Sequence, residues 1–105
     1  MMLGAIKKLL GLGPKVDLGD LISNGAVIID VRTPGEFASG HLKQAMNIPL
    51  GTLQSRLAKL KKDKPVITCC ASGMRSSSAK SMLKSKGFEK VYNGGSWQSL
   101  RKYEK

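Results

Sequence analysis

The chain has 105 residues, the length of one ordinary domain, and its 41% apolar content is enough to build a core. Eighteen Lys plus Arg against seven Asp plus Glu give a net charge of +11, a field that draws small anionic substrates and acidic proteins. The aromatics are two Phe, two Tyr and one Trp with no stacking motif, so nucleic acid is not expected as a ligand. One His and two adjacent Cys make no zinc set, and no cofactor is called for.

Residues 1–15 read as an apolar and basic extension. Leu3, Ile6, Leu9 and Leu10 recur as one face of a short helix, but Lys7 and Lys8 break the apolar run. The segment is too short for a membrane span and lacks the features of a signal peptide. Gly11, Gly13 and Pro14 mark a boundary, and residues 16–105 are expected to form a single domain. Asp17 is placed to cap a short helix through Ile22. Ala26 to Val31 is a continuous apolar, β-branched run, the pattern of a strand covered on both faces. Pro34, Gly35 and Glu36 start a turn or short helix, and Ala45 to Ile48 adds a strand that Pro49 stops.

Leu53, Leu57 and Leu60 recur at helical spacing with basic residues between them, which predicts an amphipathic helix. Val66 to Cys69 is the next buried strand. Ser76 to Lys86 reads as a helix with Ala79, Met82 and Leu83 inward and Gly87 as its terminating glycine. Glu89 to Tyr92 is a last strand, Asn93-Gly94-Gly95 a loop, and Trp97 to Tyr103 a closing helix. Strands alternating with helices predict an α/β domain with a mainly parallel sheet. Ligands of such sheets bind at the carboxyl ends of the strands, which singles out the segment after the second buried strand.

That segment reads Cys70-Ala71-Ser72-Gly73-Met74-Arg75-Ser76. A turn between a strand and a helix can gather backbone N–H groups into an anion cradle, and the helix N-terminus adds positive potential. Small residues at 71–73 let the loop curl and leave its mouth open. A cysteine at the base of the cradle is expected as its thiolate, the nucleophilic form, with no separate general base. Arg75 is expected to fork onto an oxyanion such as a sulfonate or sulfite. Cys69 still belongs to the strand and is expected to face the core. Adjacent cysteines make only a strained disulfide, and two reduced thiols point to a reducing compartment, here the cytoplasm.

Several segments together are similar to the rhodanese-homology domain. Ile29-Asp30-Val31-Arg32, Glu36-Phe37, Gly40-His41-Leu42 and Ala45-Met46-Asn47-Ile48-Pro49 resemble its N-terminal signature. Val66 to Ser76 resembles its active-site strand and loop, and Gly87-Phe88, Val91-Tyr92, Gly94-Gly95 and Trp97 its C-terminal signature. The resemblance runs from about Val16 to Tyr103. It implies a five-stranded parallel sheet with helices on both faces and a single-domain sulfurtransferase, usually monomeric. It implies ping-pong transfer of sulfane sulfur through a persulfide on Cys70, held by the loop of Ala71, Ser72, Gly73, Met74 and Arg75. The donor would be a small anion such as thiosulfate, or a persulfide, and the acceptor a thiophile, with an acidic or thioredoxin-like protein among the candidates. Gln44, Ala71 and Met74 depart from the family pattern, the last two changing the charge and shape of the loop.

Asp30, Arg32 and Glu36 read as structural hydrogen-bonding and ion-pairing residues, and His41 as a structural hydrogen-bonding one. Trp97 reads as packing. A phosphatase is the first rival, since related phosphatase domains place a Cys and an Arg around an oxyanion. Their loop is one residue longer, whereas four residues separate Cys70 from Arg75, and none of them is an acid that could protonate a leaving alcohol. A binding module that has lost chemistry is the second, and the presence of Cys70 opposes it.

Overall fold

The computed structural model describes residues 16–104, so the extension of residues 1–15, with its expected helical face, lies outside the described residues. Helix α1, Leu18–Ser23, starts where Asp17 accepts a hydrogen bond from the Asp20 amide at 3.1 Å. The apolar run that follows forms β1, Val27–Asp30, buried over its last three residues. Helix α2, Pro34–Ser39, begins with Pro at its first position and a reciprocal cap. The Thr33 hydroxyl accepts from the Glu36 amide, while the Glu36 carboxylate accepts from the Thr33 amide at 3.0 Å. Strand β2 is Ala45–Asn47, β3 is Val66–Cys70, helix α4 is Met74–Ser85 and β4 is Val91–Ser96.

The segment expected as one amphipathic helix is three short turns. A 3₁₀ turn at Leu50–Thr52 leads into α3, Leu53–Arg56, and a second 3₁₀ turn at Leu57–Lys59. Three residues per turn eclipse positions i and i+3, so the tighter winding keeps both Leu57 and Leu60 against the core. The closing segment, Trp97–Tyr103, is likewise 3₁₀.

All strand pairs are parallel, in the order β2-β1-β3-β4. Among the described residues the sheet has four strands rather than the expected five. The local patterns marked only four strand segments, and the fifth came from the resemblance alone. The last strand is also longer than expected. Asn93-Gly94-Gly95 is not a free loop but part of β4, with Asn93 in register with Thr68. A side chain at Gly94 would put its Cβ 2.9 Å from both Ile67 and Leu100, so only glycine lets β4 pass this close.

The sheet is covered on both faces. Ile29, Val31, Val66, Cys70 and Val91 pack on one side with Ala79, Leu83 and Phe88. Ile28, Ile67 and Cys69 pack on the other with Leu42 and Leu100, and with Leu18, Leu21 and Trp97 at the margin. Successive strand residues point to opposite faces, and a parallel sheet buries both.

Candidate active site: a cradled cysteine

Cys70 is the last residue of β3, at the carboxyl edge of the sheet. Helix α4 begins two residues earlier than the sequence pattern suggested, so Met74 and Arg75 lie in its first turn and Gly73 is its N-cap. The turn from strand to helix is therefore only three residues, Ala71 to Gly73. It closes because Gly73 adopts φ +103°, a left-handed conformation that costs glycine little.

Gly73 has no side chain with which to cap the helix, and the thiol takes that place. Cys70 Sγ accepts the Gly73 amide at 3.0 Å and the Ser76 amide at 3.4 Å. First-turn amides have no partner within their own helix, so sulfur and helix end satisfy each other. The neutral thiol donates to Ser76 Oγ at 3.5 Å. Once sulfur is ionised, the hydroxyl can turn and donate back. Burial pushes the Cys70 thiol up. Hydrogen bonds from the Ser76 hydroxyl and from the amides of Ser76, Gly73 and Ser72 outweigh it and bring the thiol down from 9.0 to about 7.

Ser76 is itself anchored. Its hydroxyl lies 2.6 Å from Asn93 Oδ1 and 3.1 Å from the Gly73 carbonyl oxygen, both acceptors for its single proton. The Asn93 amide group donates to the same Gly73 carbonyl at 3.3 Å, and the Gly95 amide donates to Asn93 Oδ1 at 2.9 Å. The buried Thr68 hydroxyl donates to the Ser76 carbonyl at 2.8 Å. Strand β4 thus braces the loop from behind. From the sequence Ser76 reads as a helix residue and Asn93 as a loop residue, neither with a role. The signal for Ser76 was a hydroxyl in the first turn of the helix that faces the thiol. Asn93 had no local signal.

Two expectations change. The mouth expected to stand open is closed, because Cys70 is 0% exposed beneath the loop, while Ala71, Ser72 and Met74 are exposed above it. Short amide-to-sulfur contacts draw the small loop down onto the sulfur. Arg75, expected to fork onto an oxyanion, instead forks onto Glu36, with Nη1–Oε1 at 2.7 Å and Nη2–Oε2 at 2.9 Å. The carboxylate stands at the N-terminal turn of α2, fixed there by its capping role. The Arg75 guanidinium, followed by the Thr33 amide, holds the Glu36 carboxyl down at about 2.

The remaining motif residues hold the frame. The Arg32 guanidinium pairs with Asp30, with Nη2–Oδ2 at 2.7 Å, both buried. It also donates to the carbonyls of Gly40 at 2.7 Å and Glu36 at 3.1 Å, which satisfies carbonyls at the C-terminal end of α2. Its charge lies 4.7 Å from the centre of the Trp97 ring. His41 Nδ1 donates to the Phe37 carbonyl at 2.7 Å, and its ring stacks on Phe37. Among the described residues no group of His, Cys, Asp and Glu could hold a metal ion, and no helix is long and apolar enough to cross a membrane.

A parallel α/β sheet with a lowered-pKa cysteine at a strand end, ringed by helix amides, defines a class of domain that holds a thiolate or an anion at that position. The family model of the rhodanese-like domain matches residues 15–101, and the chain belongs to that family. The chain is 43% identical to the uncharacterised protein YqhL of Bacillus subtilis over 68 residues, 65% of this chain and 54% of YqhL. It is 36% identical to the thiosulfate sulfurtransferase GlpE of Ectopseudomonas mendocina, over 70% of this chain and 68% of that protein. The human single-domain sulfurtransferase TSTD1 superposes with a TM-score of 0.73 at 27% identity, covering 84% of this chain and 92% of that one. The chain spans about half the length of YqhL, which it matches at the highest of these identities.

Proposed function

We propose that the protein is a sulfurtransferase that carries sulfane sulfur on Cys70 by a ping-pong route. The observation that carries this reading is the sulfur of Cys70 accepting the Gly73 and Ser76 amides at a helix N-terminus. Helix-end amides favour a thiolate, the form that attacks sulfur. In the first half-reaction the Cys70 thiolate attacks the outer sulfur of the donor. The Cys70 S–S bond forms and the donor's S–S bond breaks. With thiosulfate, sulfite leaves and carries the electron pair. With a persulfide, a thiol or thiolate leaves.

In the second half-reaction an acceptor such as cyanide or a thiolate takes the outer sulfur, and the Cys70 thiolate returns. The amides that cap the thiolate can hold the terminal sulfur of the persulfide. No proton need pass through His41, whose Nδ1 is spent on the Phe37 carbonyl. Cys70 lies beneath the loop of Ala71, Ser72, Gly73, Met74 and Arg75, so a donor approaches from that side. This reading includes a monomer working in a reducing, cytoplasmic setting, where both cysteines stay free thiols. A small anionic or persulfide donor and an acidic or thioredoxin-like acceptor protein are its partners.

Intact mass spectrometry after incubation with thiosulfate and, separately, with polysulfide tests it. The expected result is a gain of one sulfur on Cys70, removed by cyanide. No gain from either donor would sink the reading.

A further inference from the structure

We infer that Glu36 sets the donor selectivity of this site: by engaging both arms of the Arg75 guanidinium, it withholds the only cation of the loop from oxyanion donors and so favours persulfides over thiosulfate. The inference rests on the Cys70 sulfur-transfer reading and adds the substrate class to it.

Arg75 is the only charged residue among Ala71, Ser72, Gly73, Met74 and Arg75. Its two terminal nitrogens meet the two oxygens of Glu36, the fork-to-fork arrangement that an incoming sulfonate would also need. Glu36 is not a loose competitor. Its Oε1 also accepts the Thr33 amide at 3.0 Å and the Thr33 hydroxyl at 3.1 Å. The carboxylate is therefore held in place by α2 whether or not Arg75 is there. A donor oxyanion could take the guanidinium only by breaking a two-point pair and leaving that carboxylate beside its own negative charge.

What then remains over Cys70 are the backbone amides of Gly73 and Ser76, aimed at the sulfur itself. They suit the terminal sulfur of a persulfide and supply no charge for the three oxygens of thiosulfate. Met74, in the adjoining helical turn and 80% exposed, adds an apolar surface fitted to a carbon-bearing thiol. The pair stays charged across the ordinary pH range, since Glu36 is held down at about 2 by Arg75 and then by the Thr33 amide.

Glu36→Gln tests this with little risk to the fold, because Gln also serves at the third position of a capping box. The quantity read is the ratio of second-order rate constants for Cys70 loading by thiosulfate and by an alkyl persulfide. A ratio cancels any general change in loop opening or thiol reactivity. Glu89→Gln is the control: Glu89 is exposed, and its loss changes net charge equally. Releasing the half-exposed guanidinium is expected to raise the ratio about three- to tenfold over the parent and over Glu89→Gln. Adding Arg75→Gln to Glu36→Gln should bring the ratio back to the parent value.

A ratio in Glu36→Gln no higher than in Glu89→Gln overturns the inference while leaving Cys70 sulfur transfer standing. A gain that survives removal of Arg75 also overturns it, since the effect would then be the field of the lost carboxylate. Failure of the parent to load from any donor overturns the sulfur-transfer reading and the inference together.

Discussion

Cys69 and Cys70 are neighbours in one strand and both are 0% exposed, yet they sit in different chemical worlds. Cys69 faces the layer of Ile28, Ile67, Leu42 and Leu100. Burial, and then the nearby Asp30 carboxylate, push its thiol up to about 12. Cys70 faces the opposite layer, where the first turn of α4 presents its amides, and its thiol comes down to about 7. Burial raises both. The difference is made by hydrogen bonds, since only one of the two sulfurs meets unpaired helix amides and a hydroxyl. Exposure thus does not separate the two thiols, and the direction of the neighbouring donors does.

Exchanging the two cysteines one at a time breaks the comparison most directly. Cys70→Ser should abolish sulfur gain and cyanide-dependent turnover. Cys69→Ala should keep most activity and lose on the order of 1 kcal/mol of stability from the small cavity. Activity assays together with urea unfolding of both variants check this, and an active Cys70→Ser protein would end the mechanism.

Acidity comes next. Alkylation of Cys70 should rise with pH, with a midpoint near 7, and level off above it. Cys69 should stay silent until far higher pH. Stability should carry opposite signs for the two groups. The folded value of Cys70 lies below its ordinary 9.0, so its contribution is present above 9.0 and is lost as pH falls through about 7. The folded value of Cys69 lies above 9.0, so its contribution is present below 9.0 and is lost as pH rises toward 12. Peptide-resolved alkylation across a pH series separates the two; equal midpoints would erase the distinction.

Ser76→Ala removes one of the donors that tell the two sulfurs apart. The Cys70 midpoint should move up from about 7 toward 9.0. Sulfur loading at neutral pH should fall roughly three- to tenfold, less than a short charge-assisted bond would give because this contact is long. An unchanged midpoint would leave the backbone amides as the sole cause of the low value.

The smallest effect concerns the surface as a whole. The +11 net charge should speed approach of a dianion to Cys70, and added salt should remove that help. Thiosulfate loading is expected to slow by a few-fold as ionic strength rises from about 0.1 M to 1 M, while a neutral sulfur donor changes little. Stopped-flow loading with both donors measures this. Equal salt effects would show that the basic surface does not steer the donor.

Much of this was legible in the chain because the relevant signals are local. The run Ala26 to Val31 and the run before Cys70 announced buried parallel strands, since both of their faces are apolar. The strand expected to end at Cys69 already turned that residue away from the loop, although β3 runs one residue further and includes Cys70. Cys70 ahead of small residues, Gly73 and a helix located the cradle, because amides at a helix start are unpaired whatever the rest of the fold does. Local pattern carries no information about contacts that span long stretches of chain. The leucines at 53, 57 and 60 fit a helix as well as the 3₁₀ turns that packing selects. The Asn93–Ser76 contact joins positions 17 residues apart and the Glu36–Arg75 pair positions 39 apart. Sequence alone determined that Cys70 sits at a strand end ahead of a tight turn and a helix start, because those signals lie within a few residues of one another. Only the tertiary structure decided that the Arg75 fork is already occupied and that the loop closes over Cys70, because both depend on which side chains from distant segments arrive at the same place.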